Sequence, residues 1–214
     1  REELQRDLNA IQATGWFSDV RINPVNGPLG VQVVVQVEPF PTLSRVELDP
    51  VSEELPDEVV EEIFSFDYGR TLNLNDLQKR MKDLQAWYAG QGYSLARISG
   101  PERVSPEGVV TLKLVQGSVA GVEVEFLNSE GTSTDENGDP IRGKTKEWVI
   151  TREISVQPGD TFNRNKLEKD IKRLYGTQLF SDVKVTLKPV PEQPGDVVIV
   201  PVSYTHLTLP TNTT

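Results

Sequence analysis

Residues 170–183 read DIKRLYGTQLFSDV, and this stretch decides the fold because its pattern occurs twice more in the chain. The earlier copies are DLNAIQATGWFSDV at residues 7–20 and DLQAWYAGQGYSLA at residues 83–96. In each copy a helical spacing of apolar residues ends near a glycine, and an aromatic residue then precedes a strand. Three copies predict a protein of repeated modules. The third copy stands further along than an even spacing would put it, which we attribute to a loop inserted at residues 128–143.

The elements around each copy define the repeated unit. The apolar residues of each copy recur at intervals of three and four, as in a helix that buries one face. Two strands follow each helix, and their connections carry the turn residues Asn26-Gly27, Pro106-Glu107-Gly108 and Pro194-Gly195. The predicted hairpins are residues 20–24 with 31–37, 95–99 with 109–115, and 183–187 with 197–200. A further strand and a shorter helix come before the second and third copies, at residues 43–48 with 57–66 and 119–124 with 146–154. The unit is therefore β-α-α-β-β, and the fold class is α+β, with a three-stranded sheet packed on two helices.

This layout predicts the domain organisation. Residues 1–39 are the C-terminal part of a truncated first module, 40–117 are a complete second module and 118–202 a complete third. Residues 203–214 match no repeat, and we expect this tail to be foreign to the gene, from cloning or sequencing. The alternative is a natural linker. The start at Arg1 with a polar helix is expected of an excised fragment.

The composition argues against catalysis and nucleic-acid binding. The formal net charge is −10, and binding to phosphates requires clustered Lys and Arg instead. The chain has no cysteine, and its single histidine, His206, lies in the predicted tail, so nucleophile-base pairs and most metal sites lack their residues. Acid pairs such as Glu61-Glu62 fit a solvated helix face. No apolar run approaches the roughly 20 residues of a membrane-spanning helix. We therefore expect a binding protein that is not an enzyme and uses no metal or cofactor.

The third copy, with Tyr175 and LFSDV at residues 179–183, resembles the signature of POTRA domains, in which a helix leads through an aromatic residue into the second strand. Within those families, the third module resembles the last POTRA domain of cyanobacterial Omp85, a relative of chloroplast Toc75 and bacterial BamA. The matching stretches are NSEG at 128–131, DENG at 135–138, PIRGKT at 140–145 and WVITRE at 148–153. The resemblance implies tandem POTRA domains on the periplasmic side of the outer membrane, followed in the intact protein by a C-terminal β-barrel. It also implies binding of unfolded outer-membrane precursors and their delivery to that barrel.

The POTRA topology places the strand after the second helix of each module at a sheet edge, where unpaired backbone groups accept an added strand. The predicted client-binding residues are Leu95, Ala96, Arg97, Ile98, Ser99, Val183, Lys184, Val185, Thr186 and Leu187. The alternative is that charges such as Arg97 and Lys184 protect these edges and that clients bind in grooves beside the helices. A second function also stays open, in which the chain is a structural arm that docks accessory proteins and gates the barrel.

The long loop of the third module is a second candidate contact. Asp135, Asn137 and Asp139 alternate as in an EF-hand, but Pro140 stands where glycine is required and Lys146 where a bidentate Glu is required. We therefore predict no calcium site. The loop residues that could meet the barrel mouth or a partner are Asn128, Glu130, Asp135, Asn137, Asp139 and Arg142. The aromatic residues that precede the strands are expected in the core and not at a client surface; they are Trp16, Phe17, Tyr93 and Phe180.

Overall fold

A computed structural model describes residues 2–28, 30–128, 130–143, 145–178, 183–191, 193 and 195–204. The chain forms two compact units, Arg1–Trp87 with Arg97–Leu114 and Tyr88–Ala96 with Val115–Thr214. In chain order the elements are α1 (Glu2–Ala13), β1 (Phe17–Gly27), β2 (Gly30–Pro39), β3 (Arg45–Asp49), α2 (Asp57–Phe64), α3 (Leu74–Gly90), β4 (Arg97–Val104), β5 (Val109–Val115), β6 (Val119–Val122), β7 (Glu125–Leu127), α4 (Glu147–Thr151), α5 (Arg164–Gly176), β8 (Val183–Pro189) and β9 (Val197–Tyr204). The α+β class is confirmed. The module boundaries at residues 39, 117 and 202 stay predictions.

The first unit begins with helix α1 and an antiparallel hairpin. Strand β1 pairs with β2 from Phe17 opposite Pro39 to Gly27 opposite Gly30, so the predicted hairpin is present and longer than expected. Val20 is buried, but α1 contributes no buried residue. The large exposed side chains of β2 are Val31, Val33, Val34, Val35 and Val37. This hairpin buries little apolar surface, so packing stabilises it less than it stabilises the other sheets.

The rest of the first unit contains a three-stranded sheet in the order β3-β5-β4. Strand β3 pairs in parallel with β5, with Val46 opposite Val110 and Leu48 opposite Leu112. The central strand β5 is buried at most positions, and the helices add fully buried side chains such as Phe64 to the core. Strands β3 and β4 are therefore the two edges of this sheet.

The sheet of the second unit is arranged around β9. Strand β8 is antiparallel to β9 on one side, and β6 and β7 are parallel to it on the other. The strand predicted at residues 119–124 is broken, because β6 ends at Val122 and β7 begins at Glu125. Between them the Glu123 N–H donates to the Ile199 carbonyl at 2.9 Å, which keeps the chain against β9. Since β6 and β7 follow one another along the same edge, the sheet keeps three strand positions.

Several element ends differ from the predictions. Helix α2 ends at Phe64, two residues early, and α4 spans only Glu147–Thr151. Strand β9 continues to Tyr204, and the backbones of Ser203 and Tyr204 pair with β7, so the sheet extends two residues into the predicted tail. Residues 205–214, including His206, lie outside the described residues.

A buried carboxylate ties helix α5 to the segment before it. Asp170 has no exposed surface. Its carboxylate accepts hydrogen bonds from the Ser155 N–H at 2.8 Å, the Ser155 hydroxyl at 2.8 Å and the Val156 N–H at 3.3 Å, and it pairs with Arg173. These partners offset the removal of the charge from water and fix the chain around Ser155 against the helix.

We expect Asp170→Ala to lower the free energy of unfolding by about 3 kcal/mol, because it leaves the N–H groups of Ser155 and Val156 without their acceptor. The matched control is Asp83→Ala. Asp83 holds the corresponding place in the second copy, but its side chain is 60% exposed and lies 3.8 Å from Arg80. The control should change stability by less than about 0.5 kcal/mol in urea unfolding. Equal losses for the two variants would contradict the assigned role of Asp170.

Candidate protein-binding edges and loop

Strand β8 is an edge strand, as predicted. It pairs with β9 on one side, and among the described residues no strand pairs with its other side. Val183 is buried, and Val185 and Leu187 pack against the same core, whereas Lys184 and Thr186 are exposed. All five predicted residues therefore lie in one edge strand with alternating faces.

The hydroxyl of Tyr175 occupies the start of this edge. It donates to the Val183 carbonyl at 3.1 Å and accepts from the Val183 N–H at 3.1 Å. Backbone groups alternate in direction along a strand, so those of Val185 and Leu187 also point away from β9. An added strand can therefore pair from Val185 onward without displacing Tyr175. Sequence reasoning used Tyr175 as part of the repeated motif and missed this contact.

The polar face of β8 is positively charged and meets acidic residues of the neighbouring edge. The Lys188 ammonium donates a hydrogen bond to the Glu125 carboxylate in β7. This hydrogen bond raises the pKa of Lys188, and the charges of Glu125 and Glu123 add to the effect. The pair bridges the strands on either side of β9 on the exposed face of the sheet.

Strand β4 is the corresponding edge in the first unit, but two predicted residues lie outside it. Leu95 and Ala96 belong to the turn before β4, where the Ala96 N–H donates to the Tyr93 carbonyl at 3.1 Å. Ala96 is buried and Leu95 packs against the core of the second unit, so their side chains are used in packing. Their assignment to the edge strand is wrong. Arg97, Ile98 and Ser99 do begin β4.

Strand β4 also contains Pro101, which has no N–H to donate. Glu102 forms an ion pair with Lys113 of β5 at 3.7 Å. A proline and charged side chains are features by which edge strands avoid pairing with other chains. Strand β8 carries its proline only at its last residue, so it offers the longer run of backbone donors.

The long loop is organised by two side chains that bond to their own backbone. Asn128 Oδ1 accepts from the N–H groups of Glu130 and Thr132, each at 3.0 Å. Asp135 Oδ1 accepts from the N–H groups of Asn137 at 2.9 Å and Asp139 at 3.0 Å. These are turn contacts of the kind that Asn and Asp favour, so the loop has a defined shape.

Three of the six predicted loop residues come together in an open groove. Asp135, Asp139 and Arg142 line it with Trp148 of α4, whereas Asn128, Glu130 and Asn137 do not. Trp148 is 57% exposed, and the Arg152 guanidinium lies 5.1 Å from its ring centre. Of the residue types in this groove, tryptophan and arginine are enriched at protein interfaces.

The aromatic residues before the strands are less buried than predicted. Trp16 is 43% exposed, so its assignment to the core is wrong, and Phe17 and Tyr93 are half-buried. Trp16 belongs to the hairpin region that has little core of its own, and it lines a small cavity with Asp67 and Arg70 instead. Phe180 lies outside the described residues.

A pair of asparagines anchors the start of helix α3 in the first unit. Asn73 Oδ1 accepts from the Asn75 N–H at 2.8 Å, and Asn73 Nδ2 donates to the Thr14 carbonyl at 2.9 Å. Asn75 Nδ2 also donates to the Thr14 carbonyl, and the Leu74 N–H donates to the Gly15 carbonyl at 2.9 Å. The N-terminus of α3 is therefore bonded to the chain that leaves α1. We call this arrangement the asparagine clamp.

The second unit contains a second asparagine clamp. Asn163 Oδ1 accepts from the Asn165 N–H at 3.0 Å, and Asn163 Nδ2 donates to the Gln91 carbonyl at 3.1 Å. Asn165 Nδ2 donates to the same carbonyl, and the Arg164 N–H donates to the Gly92 carbonyl at 2.8 Å. Sequence reasoning missed the hydrogen bonds that these asparagines donate back to the preceding helix end. The signal is an Asn-x-Asn at both helix starts.

The glycine at each clamp is required by space and by conformation. Gly15 and Gly92 have φ of +77° and +96°, where other residues are strained. A Cβ on Gly92 would lie 2.6 Å from Asn163 Oδ1, and one on Gly15 would lie 3.0 Å from Asn73 Oδ1. The asparagine therefore occupies the space that a side chain would need.

We expect Asn163→Ala to lower the free energy of unfolding by about 2 kcal/mol, because it removes a helix cap and the bond to Gln91. Gly92→Ala should cost more in the native background than in the Asn163→Ala background, since the nearest clashing atom, Asn163 Oδ1, is then absent and the Asn165 side chain, 2.8 Å from the Cβ position, remains. The difference should be about 1 kcal/mol in a double-mutant cycle measured by urea unfolding. Asn137→Ala, in the exposed loop, is the control and should leave stability nearly unchanged. Additive effects at Gly92 and Asn163 would contradict the clamp.

Two family models match the chain. The model described as "POTRA domain, ShlB-type" matches residues 42–117, and the POTRA model described as "Surface antigen variable number repeat" matches residues 140–205. These matches and the β-α-α-β-β order define the chain as a set of POTRA domains.

Two solved structures extend this result. The chain is 45% identical to POTRA1-3 of the periplasmic domain of Omp85 from Anabaena, with 96% of this chain and 82% of that chain covered and a TM-score of 0.88. It is 38% identical to the N-terminal domain of Omp85 from Thermosynechococcus elongatus, with coverages of 97% and 85% and a TM-score of 0.77. The chain belongs to the POTRA region of the Omp85 family.

The curated relatives agree with this family. The chain is 31% identical over 121 residues to the outer membrane protein assembly factor BamA of Nitratidesulfovibrio vulgaris, which covers 56% of this chain and 14% of that protein. Chloroplast TOC75 proteins also match, as the resemblance implied. The chain spans about a quarter of the length of the first curated relatives that it matches. In the part of the chain that the structure describes, no helix is long and apolar enough to cross a membrane.

Proposed function

We propose that this chain binds unfolded outer-membrane β-barrel precursors on the periplasmic side of the outer membrane and delivers them to an Omp85 barrel for insertion. Membership of the Omp85 family and the likeness to a protein named as an outer-membrane assembly factor support this role. The barrel of the intact protein is then its nearest partner. The proposed function is binding alone, without catalysis or a cofactor.

The observation that carries the proposal is the edge of β8. The backbone groups of Val185 and Leu187 point away from β9, and no partner meets them among the described residues. An unfolded barrel precursor supplies extended segments with alternating polar and apolar residues, and such segments add to an edge through main-chain bonds. Because these bonds are largely indifferent to side chains, one edge can hold many different precursors with low affinity.

The test is an NMR titration of the isotope-labelled chain with an extended peptide from an outer-membrane strand. We expect saturable shifts at Val185 and Leu187, with Arg97 to Ser99 as the second candidate edge. Val185→Pro should weaken peptide binding at least about tenfold, because it removes an outward N–H while an edge strand tolerates proline there. Val185→Thr keeps the N–H and the shape, and it should bind like the parent chain.

Three outcomes would contradict client capture at this edge. Equal binding by Val185→Pro and Val185→Thr would mean that the outward N–H is not used. Shifts confined to helix faces would move the site to a groove. No shifts at millimolar peptide would mean that this chain does not bind the client peptide.

The second candidate function is a structural arm that docks accessory proteins and gates the barrel. The exposed Trp148, next to Arg142 in the loop groove, favours it, because exposed tryptophans anchor protein interfaces. In the intact protein, Trp148→Ala should then alter barrel conductance or accessory-protein binding and leave the peptide shifts at Val185 unchanged. Under client capture alone, Trp148→Ala changes neither property.

A further inference from the structure

A groove in the first unit runs between strand β3 and helix α2. Its volume is about 520 Å³, and Val46, Leu48, Leu55 and Val60 form its apolar lining. Val51, also in the lining, is 87% exposed. Strand β3 is the edge opposite β4 in its sheet, so the groove is separate from the edges of the proposed function.

Strand β3 directs backbone groups into this groove. The Arg45 N–H donates to the Gly108 carbonyl at 3.4 Å, on the β5 side. Because directions alternate along a strand, Val46 and Leu48 present their backbone groups to the groove. Tyr68 also lines the groove, and its hydroxyl lies near the Val46 backbone. Among the described residues no partner meets the Leu48 groups on this side, so they are available to another strand.

The groove has acidic walls. Residues 46–62 contain eight Asp and Glu residues and no Lys or Arg. Asp57 and Glu61 line the groove from α2, and Arg45, the basic residue of the lining, is paired with Glu47. Burial, followed by the charge of Glu61, raises the pKa of Tyr68, so its hydroxyl stays protonated. A basic partner is therefore favoured and an acidic one is repelled.

We propose that this groove binds an extended, basic segment of another polypeptide that carries apolar residues between its lysines or arginines. The segment adds to β3 as a strand at Leu48, its apolar side chains pack on Val51 and Leu55, and its cations reach Asp57 and Glu61. The edge defines an extended partner, the apolar lining requires apolar side chains and the walls require positive charge. This site does not depend on the β8 edge, whose exposed face carries lysines.

The experiment uses the whole chain, isotope-labelled, and a ten-residue peptide of alternating lysine and valine. We expect saturable amide shifts at Val46, Leu48 and along α2, with a dissociation constant that rises with salt. Asp57→Asn combined with Glu61→Gln should weaken binding about tenfold, as two exposed charge pairs are lost. The matched control is Glu58→Gln with Glu62→Gln, which removes the same charge from the same helix at positions that do not line the groove. The control should change binding less than about twofold.

Several outcomes would overturn the proposal. Equal weakening in the two double variants would reduce the effect to general charge attraction. Equal binding of a peptide of alternating glutamate and valine would remove the role of the acidic walls. Shifts at Val185 and Leu187 without shifts at Leu48, or no shifts at millimolar peptide, would place no site at β3. Leu48→Pro tests the strand pairing itself, and unchanged affinity in a folded variant would exclude pairing at this edge.

Discussion

The arrangement of the helices in both units depends on the asparagine clamps. A helix start has N–H groups without acceptors, and a helix end has carbonyls without donors. The side chain of Asn163 satisfies both at once, because its oxygen caps α5 and its amide nitrogen donates to the Gln91 carbonyl. Aspartate could cap the helix but has no hydrogen to donate, and serine has a single short hydroxyl. Only an amide of this length supplies an acceptor and a donor on opposite sides, which explains why asparagine stands at both positions.

The third copy of the helix end separates two reasons for glycine at this position. One is the space that the clamp asparagine occupies, and the other is the turn of the chain out of the helix. Gln178 has φ of +58°, the same left-handed conformation as Gly15 and Gly92, but it carries a side chain. The left-handed residue is therefore needed to leave the helix in every copy, and glycine is needed only where an asparagine fills the Cβ space. Among the described residues no asparagine side chain is hydrogen-bonded to Gln178.

Sequence periodicity was sufficient for most of the elements and for the hairpins, because turn residues and alternating valines leave few other arrangements. The edge positions of β4 and β8 followed from the resemblance to POTRA domains, and the structure has both strands at edges. The predicted element ends were less accurate. Leu95 and Ala96 have the sequence pattern of a strand but lie in a turn, where Ala96 is buried and Leu95 packs on the core. The break between β6 and β7 has no signal in a run of alternating residues. Contacts between side chains and distant backbone groups could not be predicted, for a different reason. The motif contains Tyr175, but the sequence does not indicate that its hydroxyl bonds to the backbone of Val183.

The Tyr175 hydroxyl occupies the outward backbone groups of Val183 at the start of the β8 edge. It shortens the edge that another chain can use and also fixes where pairing begins, at Val185. An added strand therefore gains only a few backbone bonds, each worth about 1 kcal/mol net. Ordering an unfolded segment opposes this gain by about 2–5 kcal/mol. Side-chain contacts must supply the difference, so binding at such edges is weak, reversible and limited to segments that also fit the neighbouring surface.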